Sequence, residues 1–257
     1  MDKKSFLNSI NCDDKNLISG IFNKIQLAEK TNKIVFTSDF ISPAIWNEIL
    51  DKCKNYKVKV FTSGIFKDAD RRMLAFSVIE EPKDYPIRLL EIKNKSKFSR
   101  LLHKDYLGSI MSLGINREKL GDLIIQDGIC YATVCNDISN YITSNLESIA
   151  NCPCEVQEYD YKTFKLPERK FEEKIVISTS CRLDGLVAAI CNLSRNNSVG
   201  LISKGKILLN YFQCFKKDEI VKNNDTLTIR GYGKFKIREI IGITQKDRLK
   251  VSILKYI

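Results

Sequence analysis

The fold of the last third of the chain is decided by a stretch that reads Cys181-Arg-Leu-Asp-Gly-Leu-Val-Ala-Ala-Ile-Cys-Asn-Leu-Ser194-Arg195 and continues at Leu201-Ile-Ser-Lys204-Gly205-Lys206-Ile-Leu-Leu-Asn210. Apolar residues recur at helical spacing in its first part, and Ser180 is predicted to cap that helix. Ser194 is predicted to cap a second helix, which ends at Lys204-Gly205-Lys206 before a short strand. The stretch therefore concentrates basic residues on a compact pair of helices.

The two arginines of this stretch are predicted to lie in the first turns of the two helices. A helix N-terminus carries partial positive charge, and a guanidinium binds phosphate through paired hydrogen bonds. Asp184 is also favoured near a helix N-terminus. We therefore predict that this pair of helices binds folded RNA, through Arg182, Ser194, Arg195, Lys204, Lys206 and Asn210.

More cations follow the turn at Asn224-Asp225, in the segment Arg230-Gly-Tyr-Gly-Lys234-Phe-Lys236. Cations can follow an RNA backbone while aromatic rings such as Tyr232 and Phe235 stack on exposed bases. Arg230, Lys234 and Lys236 are therefore added to the predicted RNA-binding residues. The alternative is that Lys234, Lys236 and Arg238 form only the solvated face of a sheet.

The distribution of charge also favours a polyanionic partner. The chain has 42 Lys and Arg against 31 Asp and Glu, a net charge of +11. Residues 174–257 alone hold 16 basic and 6 acidic residues, so nearly all of the excess lies there. A basic block within one module is typical of nucleic-acid binding. A soluble basic domain without such a partner is the alternative.

The rest of the sequence predicts an α+β protein with three domains. Residues 1–82 have the pattern of a small α/β domain. Residues 83–162 read strand–helix–strand–strand–helix–strand, the ferredoxin-like order that RNA-recognition modules share. Such modules stack bases on aromatic side chains of their central strands, where this chain offers only Tyr131. A polar linker is predicted over residues 163–174, and the basic module over residues 175–257.

Several classes of protein are disfavoured by composition. No run approaches the roughly 20 apolar residues of a membrane span, and the first residues lack the apolar core of a signal peptide, so a cytoplasmic protein is expected. The nine cysteines are odd in number and irregularly spaced, which favours a reduced compartment over a disulfide framework. Cys152 and Cys154 form the one close pair, and no second Cys or His pair stands at a zinc-site spacing. No metal, cofactor or catalytic residue is predicted.

Three polar positions of the central region have competing interpretations. His103, the only histidine, is interpreted as structural and not as a general acid or base. Asp105 is interpreted as a helix cap and not as a catalytic carboxylate. The turn Arg117-Glu118-Lys119 is either a loop that faces RNA or protein, which we favour slightly, or a solvated turn.

Two parts of the sequence resemble known families. Arg182-Leu-Asp184, Ser194-Arg195, Lys204-Gly205-Lys206, Asn210 and the later Arg230-Gly-Tyr-Gly-Lys-Phe-Lys236 resemble the RNA-binding domain named after ribosomal small-subunit protein S-four. His103-Lys-Asp-Tyr-Leu-Gly-Ser-Ile-Met-Ser-Leu-Gly-Ile-Asn-Arg-Glu-Lys-Leu-Gly-Asp122 looks like the signature of the bacterial YlmH family. The chain departs from many S-four domains at Asn196-Asn197, where basic residues are common, and at Tyr211, where glycine is common. An aromatic residue there fits the YlmH branch, so the resemblance adds Tyr211 as the tenth predicted RNA-binding residue, with simple packing as the alternative.

The resemblance also implies a function. It implies a non-catalytic, monomeric RNA-binding protein that associates with the ribosomal large subunit, where ribosomal RNA, peptidyl-tRNA and quality-control proteins would be its partners in the rescue of stalled translation. One alternative is an RNA-modifying enzyme, a pseudouridine synthase or methyltransferase that docks through its C-terminal domain. It would need a catalytic aspartate motif or a Gly-rich cofactor loop, and neither is found upstream. The other alternative is an adaptor linked to cell division.

Overall fold

The computed structural model describes residues 2–96, 99 and 101–256, which divide between two compact units, Met1–Glu168 and Arg169–Ile257. Both units combine helices with antiparallel sheets, in agreement with the predicted α+β class. No helix in the described part of the chain is long and apolar enough to span a bilayer.

The first part of unit Met1–Glu168 packs three helices on a small sheet. The helices are α1 (Lys3–Ser9), α2 (Lys15–Thr31) and α3 (Pro43–Cys53), and the strands are β1 (Val35–Phe36), β2 (Lys59–Ser63) and β3 (Met73–Ser77), in the order β1-β3-β2. Asp14 caps α2 by accepting the N–H groups of Asn16 and Leu17. Proline stands at the first position of α3, as its fixed φ favours.

The second part of this unit follows the predicted order of elements. It comprises β4 (Ile87–Asn94), α4 (His103–Met111), β5 (Leu120–Gln126), β6 (Ile129–Cys135), α5 (Asn136–Asn145), an additional short strand β7 (Ser148–Ile149) and β8 (Cys152–Tyr159). The sheet order is β5-β6-β4-β8-β7. Asp127 and Gly128 form the predicted tight turn, with φ of 53° and 80°. The Asp105 carboxylate accepts the N–H of Leu102 at 2.8 Å, which confirms it as a helix cap.

A polar network joins the two parts of this unit. The buried Asp122 carboxylate accepts the N–H groups of Asp70 at 2.6 Å and Arg71 at 3.2 Å. The Arg117 guanidinium donates to the carbonyls of Leu120 and Gly121, and burial lowers its pKa to about 10.

Lys119 extends the same network. Its ammonium group lies 3.1 Å from Asp39 and 2.6 Å from Asp137. The Arg117–Lys119 turn therefore helps to connect the two parts of unit Met1–Glu168. The interpretation of this turn as a loop that faces RNA or protein stays a prediction, while the structure shows that its cations contact carbonyl and carboxylate groups of the same unit.

Unit Arg169–Ile257 packs two helices on a six-stranded sheet. Its elements are β9 (Phe171–Ser178), α6 (Leu183–Cys191), α7 (Arg195–Ser203), β10 (Ile207–Leu209), β11 (Phe212–Gln213), β12 (Thr226–Ile229), β13 (Gly233–Ile243) and β14 (Leu249–Tyr256). The order is β11-β10-β12-β13-β14-β9. Leu183, Leu186, Ile202 and Ile253 belong to its core. Strand β9 begins inside the predicted linker, because residues 171–174 pair with the end of β14.

The helix starts were only partly predicted. Ser194 caps α7, since its side chain accepts the N–H of Asn197 at 3.2 Å. The N-cap of α6 is Arg182 and not Ser180. The first N–H groups of α6 instead donate to carbonyl groups of the loop between β11 and β12, from Leu183 to Glu219 at 2.8 Å and from Asp184 to Lys217 at 2.9 Å. A serine cap is therefore not needed there.

Candidate RNA-binding site

The ten predicted RNA-binding residues all lie in unit Arg169–Ile257, in three places. Arg182, Ser194 and Arg195 stand at the starts of α6 and α7. Lys204, Lys206 and Arg230 stand where α7 leads into the sheet. Asn210, Tyr211, Lys234 and Lys236 stand at the β10–β11 turn and on β13.

One buried carboxylate organises the first place. Asp184 is only 3% exposed. Its carboxylate accepts two hydrogen bonds from Arg195, at 3.0 and 3.2 Å, and two from Arg182, both at 3.3 Å. The N–H of Gly185 adds another at 2.8 Å. The two guanidinium groups are therefore held side by side, although they are 13 positions apart in the sequence.

The electrostatics of this cluster favour its ionised form. Burial alone would raise the pKa of the Asp184 carboxyl, but the hydrogen bonds from Arg195 and Arg182 outweigh burial and lower that pKa to about 2. Two guanidinium charges against one carboxylate leave the cluster with one excess positive charge. The side chains of Arg182 and Arg195 remain 35% and 54% exposed, so both still face solvent.

The same cluster makes contacts within the unit that the sequence did not predict. The N–H groups at the start of α6 already have partners within the unit, and Arg195 is directed at the carboxylate of the neighbouring helix. The Ser198 hydroxyl, fully buried, donates to the Asp184 carbonyl at 2.8 Å and ties α7 to α6. The exposed edges of the two guanidinium groups are therefore the parts of this cluster that remain accessible to a ligand.

The second place gathers three exposed cations. Gly205, with φ of 64°, turns the chain between the exposed Lys204 and Lys206. The N–H of Arg230 donates to the Lys206 carbonyl at 2.9 Å, and Ile207 pairs with Ile229. The start of β10 and the end of β12 thus bring Arg230, also exposed, next to the lysine turn.

The third place is built around a tight turn. Asn210 and Tyr211 have φ of 50° and 72°, and they connect Leu209 of β10 to Phe212 of β11. The Asn210 side chain donates to Asp225 at 2.8 Å and accepts the N–H of Thr226 at 2.9 Å. Its amide is thus used to fix the turn against the segment before β12.

Tyr211 and Lys234 contact each other. The Lys234 ammonium group donates to the Tyr211 hydroxyl at 3.0 Å and lies 4.4 Å from the centre of the Tyr256 ring. Lys236 lies on the outer face of β13, since its neighbours Phe235 and Ile237 are buried. Phe235 is 4% exposed, so the suggestion that its ring stacks on bases is wrong.

The sheet β5-β6-β4-β8-β7 offers little exposed aromatic surface on which RNA bases could stack. On the face opposite its helices, Tyr131 packs with its ring centre 5.6 Å from that of Phe164, which also lies 4.7 Å from Tyr159. Phe66, Leu89 and Ile124 belong to the same cluster. The Tyr131 ring is therefore covered by residues of its own unit at the place where an RNA base would stack.

The comparisons with known proteins first define a class. Residues 80–163 match the family described as the putative RNA-binding domain in YlmH. The chain also resembles the solved structure of cell division protein ylmH from Streptococcus pneumoniae, with a TM-score of 0.51 and 19% identity, over 59% of this chain and 94% of that one. This likeness concerns the fold alone.

A curated relative aligns with a larger share of the chain. The protein named ribosome-associated protein quality control protein P2, from Bacillus subtilis (strain 168), is 25% identical over 194 residues, which cover 75% of this chain and 76% of the relative. Together with the match over residues 80–163, this relative supports the YlmH family for the chain.

Proposed function

We propose that this chain is a non-catalytic RNA-binding protein that associates with the ribosomal large subunit and acts in the quality control of stalled translation. Its partners are large-subunit ribosomal RNA, peptidyl-tRNA and proteins of that pathway. The name of the Bacillus subtilis relative and the RNA-binding family match over residues 80–163 support this proposal. We further propose that the protein acts in the cytoplasm as a monomer, without a metal or cofactor.

In this proposal, residues 175–257 are an S-four-like RNA-binding domain, residues 83–162 an RRM-like domain, residues 1–82 a small α/β domain, and residues 163–174 a linker. The sheet order β5-β6-β4-β8 agrees with an RRM-like arrangement. The two helices before β10 agree with the S-four-like pattern quoted from the sequence.

The observation that carries the RNA-binding proposal is the pair of arginines on Asp184. A guanidinium binds phosphate best when its plane is already oriented, because less side-chain entropy is lost on binding. Asp184 supplies that orientation, and the three exposed cations Lys204, Lys206 and Arg230 add charge where α7 ends. Such an arrangement favours contact with a compact, folded phosphate backbone.

Sedimentation of a cell lysate tests the proposal directly. The wild-type protein is expected to migrate with the large ribosomal subunit in a sucrose gradient. Lys204→Glu with Lys206→Glu is expected to move it to the top, because two exposed cations become anions next to RNA phosphates. Charge reversal of Arg195 is less suitable, since it would place a carboxylate against the buried Asp184.

A matched control separates the site from total charge. Lys246 and Lys250 are exposed near the tip of the β13–β14 hairpin, and their reversal changes net charge equally. This second variant should still migrate with the large subunit. Equal loss in both variants would refute the assigned site, and a wild-type protein at the top of the gradient would refute ribosome association. A complex that survives ribonuclease treatment would favour a protein adaptor instead.

Salt dependence gives a quantitative prediction for the same lysines. Each phosphate contact contributes about one unit to the slope of log affinity against log salt concentration, so Lys204→Ala with Lys206→Ala should reduce that slope by about two. The measurement is a salt titration of binding to purified large subunits. Lys246→Ala with Lys250→Ala should leave the slope unchanged. An unchanged slope in the first variant would show that these lysines do not contact phosphate.

A further inference from the structure

An exposed aromatic ring stands beside the cations of the candidate site. Phe215, in the loop between β11 and β12, is 60% exposed. Backbone hydrogen bonds fix the loop before and after Phe215. The Cys214 N–H donates to the Ile207 carbonyl at 3.2 Å, and the Lys217 carbonyl accepts the N–H of Asp184 at 2.9 Å. The ring is therefore presented to solvent from a fixed backbone, between the start of α6 and the start of β10.

The edge of the ring rests on a glycine. A Cβ atom at Gly205 would lie 3.3 Å from Cε1 of Phe215, and the Gln213 side chain donates to the Gly205 carbonyl at 3.2 Å. Phe215 thus packs beside the turn that carries the exposed Lys204 and Lys206, so its position relative to these cations is defined.

The surroundings of the ring are mainly cationic. Exposed Lys216 and Lys217 follow it in the loop, and Lys204 and Lys206 flank the glycine on which it rests, while Asp218 and Glu219 are the acidic residues of the loop. Surfaces that dock proteins are depleted in lysine at their centre. In contrast, an aromatic ring among cations is typical of sites for unpaired nucleic acid, where bases stack and phosphates bind alongside.

We propose that Phe215 stacks on an unpaired base of the bound RNA, while the lysines next to it hold the adjoining phosphates. This inference rests on the proposed RNA-binding function and adds to it a preference for RNA with an accessible unpaired base. Among the other aromatic candidates, Phe235 is buried, Tyr131 packs against Phe164, and Tyr211 contacts Lys234. Tyr232 is also exposed, at 40% against 60% for Phe215.

The test compares two RNA probes with the full-length protein. One is a stem-loop RNA with unpaired adenines in its loop, including the fluorescent analogue 2-aminopurine, and the other is a blunt duplex with the same number of nucleotides. The wild-type protein should bind the stem-loop more tightly and quench the analogue. Phe215→Leu, which stays apolar but cannot stack, should weaken stem-loop binding about tenfold and leave duplex binding unchanged. Phe215→Trp should retain both the affinity and the quenching.

The outcomes separate this inference from the proposed function. If wild type and Phe215→Leu bind the stem-loop with equal affinity while both still bind the duplex, the stacking role is overturned but RNA binding is not. Equal loss on both probes also overturns stacking. If the wild-type protein binds neither probe nor ribosomal subunits, the proposed function fails and the inference falls with it. A nuclease-resistant protein complex that is lost in Phe215→Leu would assign the ring to a protein partner and overturn the inference.

Discussion

Asp184→Asn is expected to lower the free energy of unfolding of unit Arg169–Ile257 by about 2–3 kcal/mol at neutral pH, the range that corresponds to a carboxyl pKa lowered from 3.8 to about 2. Asparagine preserves the shape of the side chain but removes the charge that holds Arg182 and Arg195. Hydrogen exchange of the α6 and α7 amides would measure the loss. Affinity for large subunits should fall as well, because the guanidinium groups lose their common anchor.

The pH dependence gives this prediction a distinct signature. Because the pKa of Asp184 is lowered in the folded protein, its contribution is complete above about pH 4 and is lost as the pH falls toward 2. The difference between the wild type and Asp184→Asn should therefore close over that interval. Asp247→Asn, at an exposed turn position, is the matched control and should have no effect. A difference in stability that is independent of pH would contradict the assigned role of the carboxylate.

Gly121→Ala is expected to destabilise unit Met1–Glu168 by about 3 kcal/mol, because it overpacks a fully enclosed position. An added Cβ would lie 2.1 Å from the Thr133 hydroxyl oxygen and 2.8 Å from the Phe40 ring. Thr133 and Phe40 are themselves buried, so neither can move into open space. Urea unfolding followed by the fluorescence of Trp46, the only tryptophan, would measure the effect, since its indole N–H donates to Asp70 near the same joint.

A second glycine provides the control for this substitution. Gly108 lies within α4, and a Cβ there would meet nothing within 4 Å. Gly108→Ala should therefore stabilise the unit by up to about 1 kcal/mol, because alanine loses less backbone entropy in a helix. If both alanine variants changed stability by the same amount and in the same direction, close packing at Gly121 would not be the cause.

The regular elements were predictable because their signals are local. Helical spacing indicated α2, α6 and α7, and Asp127-Gly128 indicated the hairpin of β5 and β6. The start of β9 was missed, since it depends on pairing with β14, more than 75 positions away. The assignment of individual residues to RNA contact remains a prediction.

The candidate site was less predictable, because its geometry depends on tertiary contacts. Alternation along β13 places Phe235 on the face opposite Lys234 and Lys236, but that this face is covered by the core depends on how the sheet packs. The spacing of Asp184 and Arg195 gave no sign that α6 and α7 pack with these side chains together. Phe215 could have been noticed, since Phe-Lys-Lys between two strands combines a ring with cations, but its exposure depends on how the loop is anchored.

The polar joint around Asp122 determines where the chain can be cut. A protease or a gene truncation acting near residue 82 would separate Asp70 and Arg71 from the buried carboxylate that binds their N–H groups, and would take Phe40 from its place beside Gly121. The shorter product would keep the Asp122 carboxylate without these hydrogen bonds and would expose the apolar surface that Phe40 covers, so we expect it to aggregate. Division after Glu168 leaves these contacts intact, so the natural fragment for expression ends there and not at residue 82.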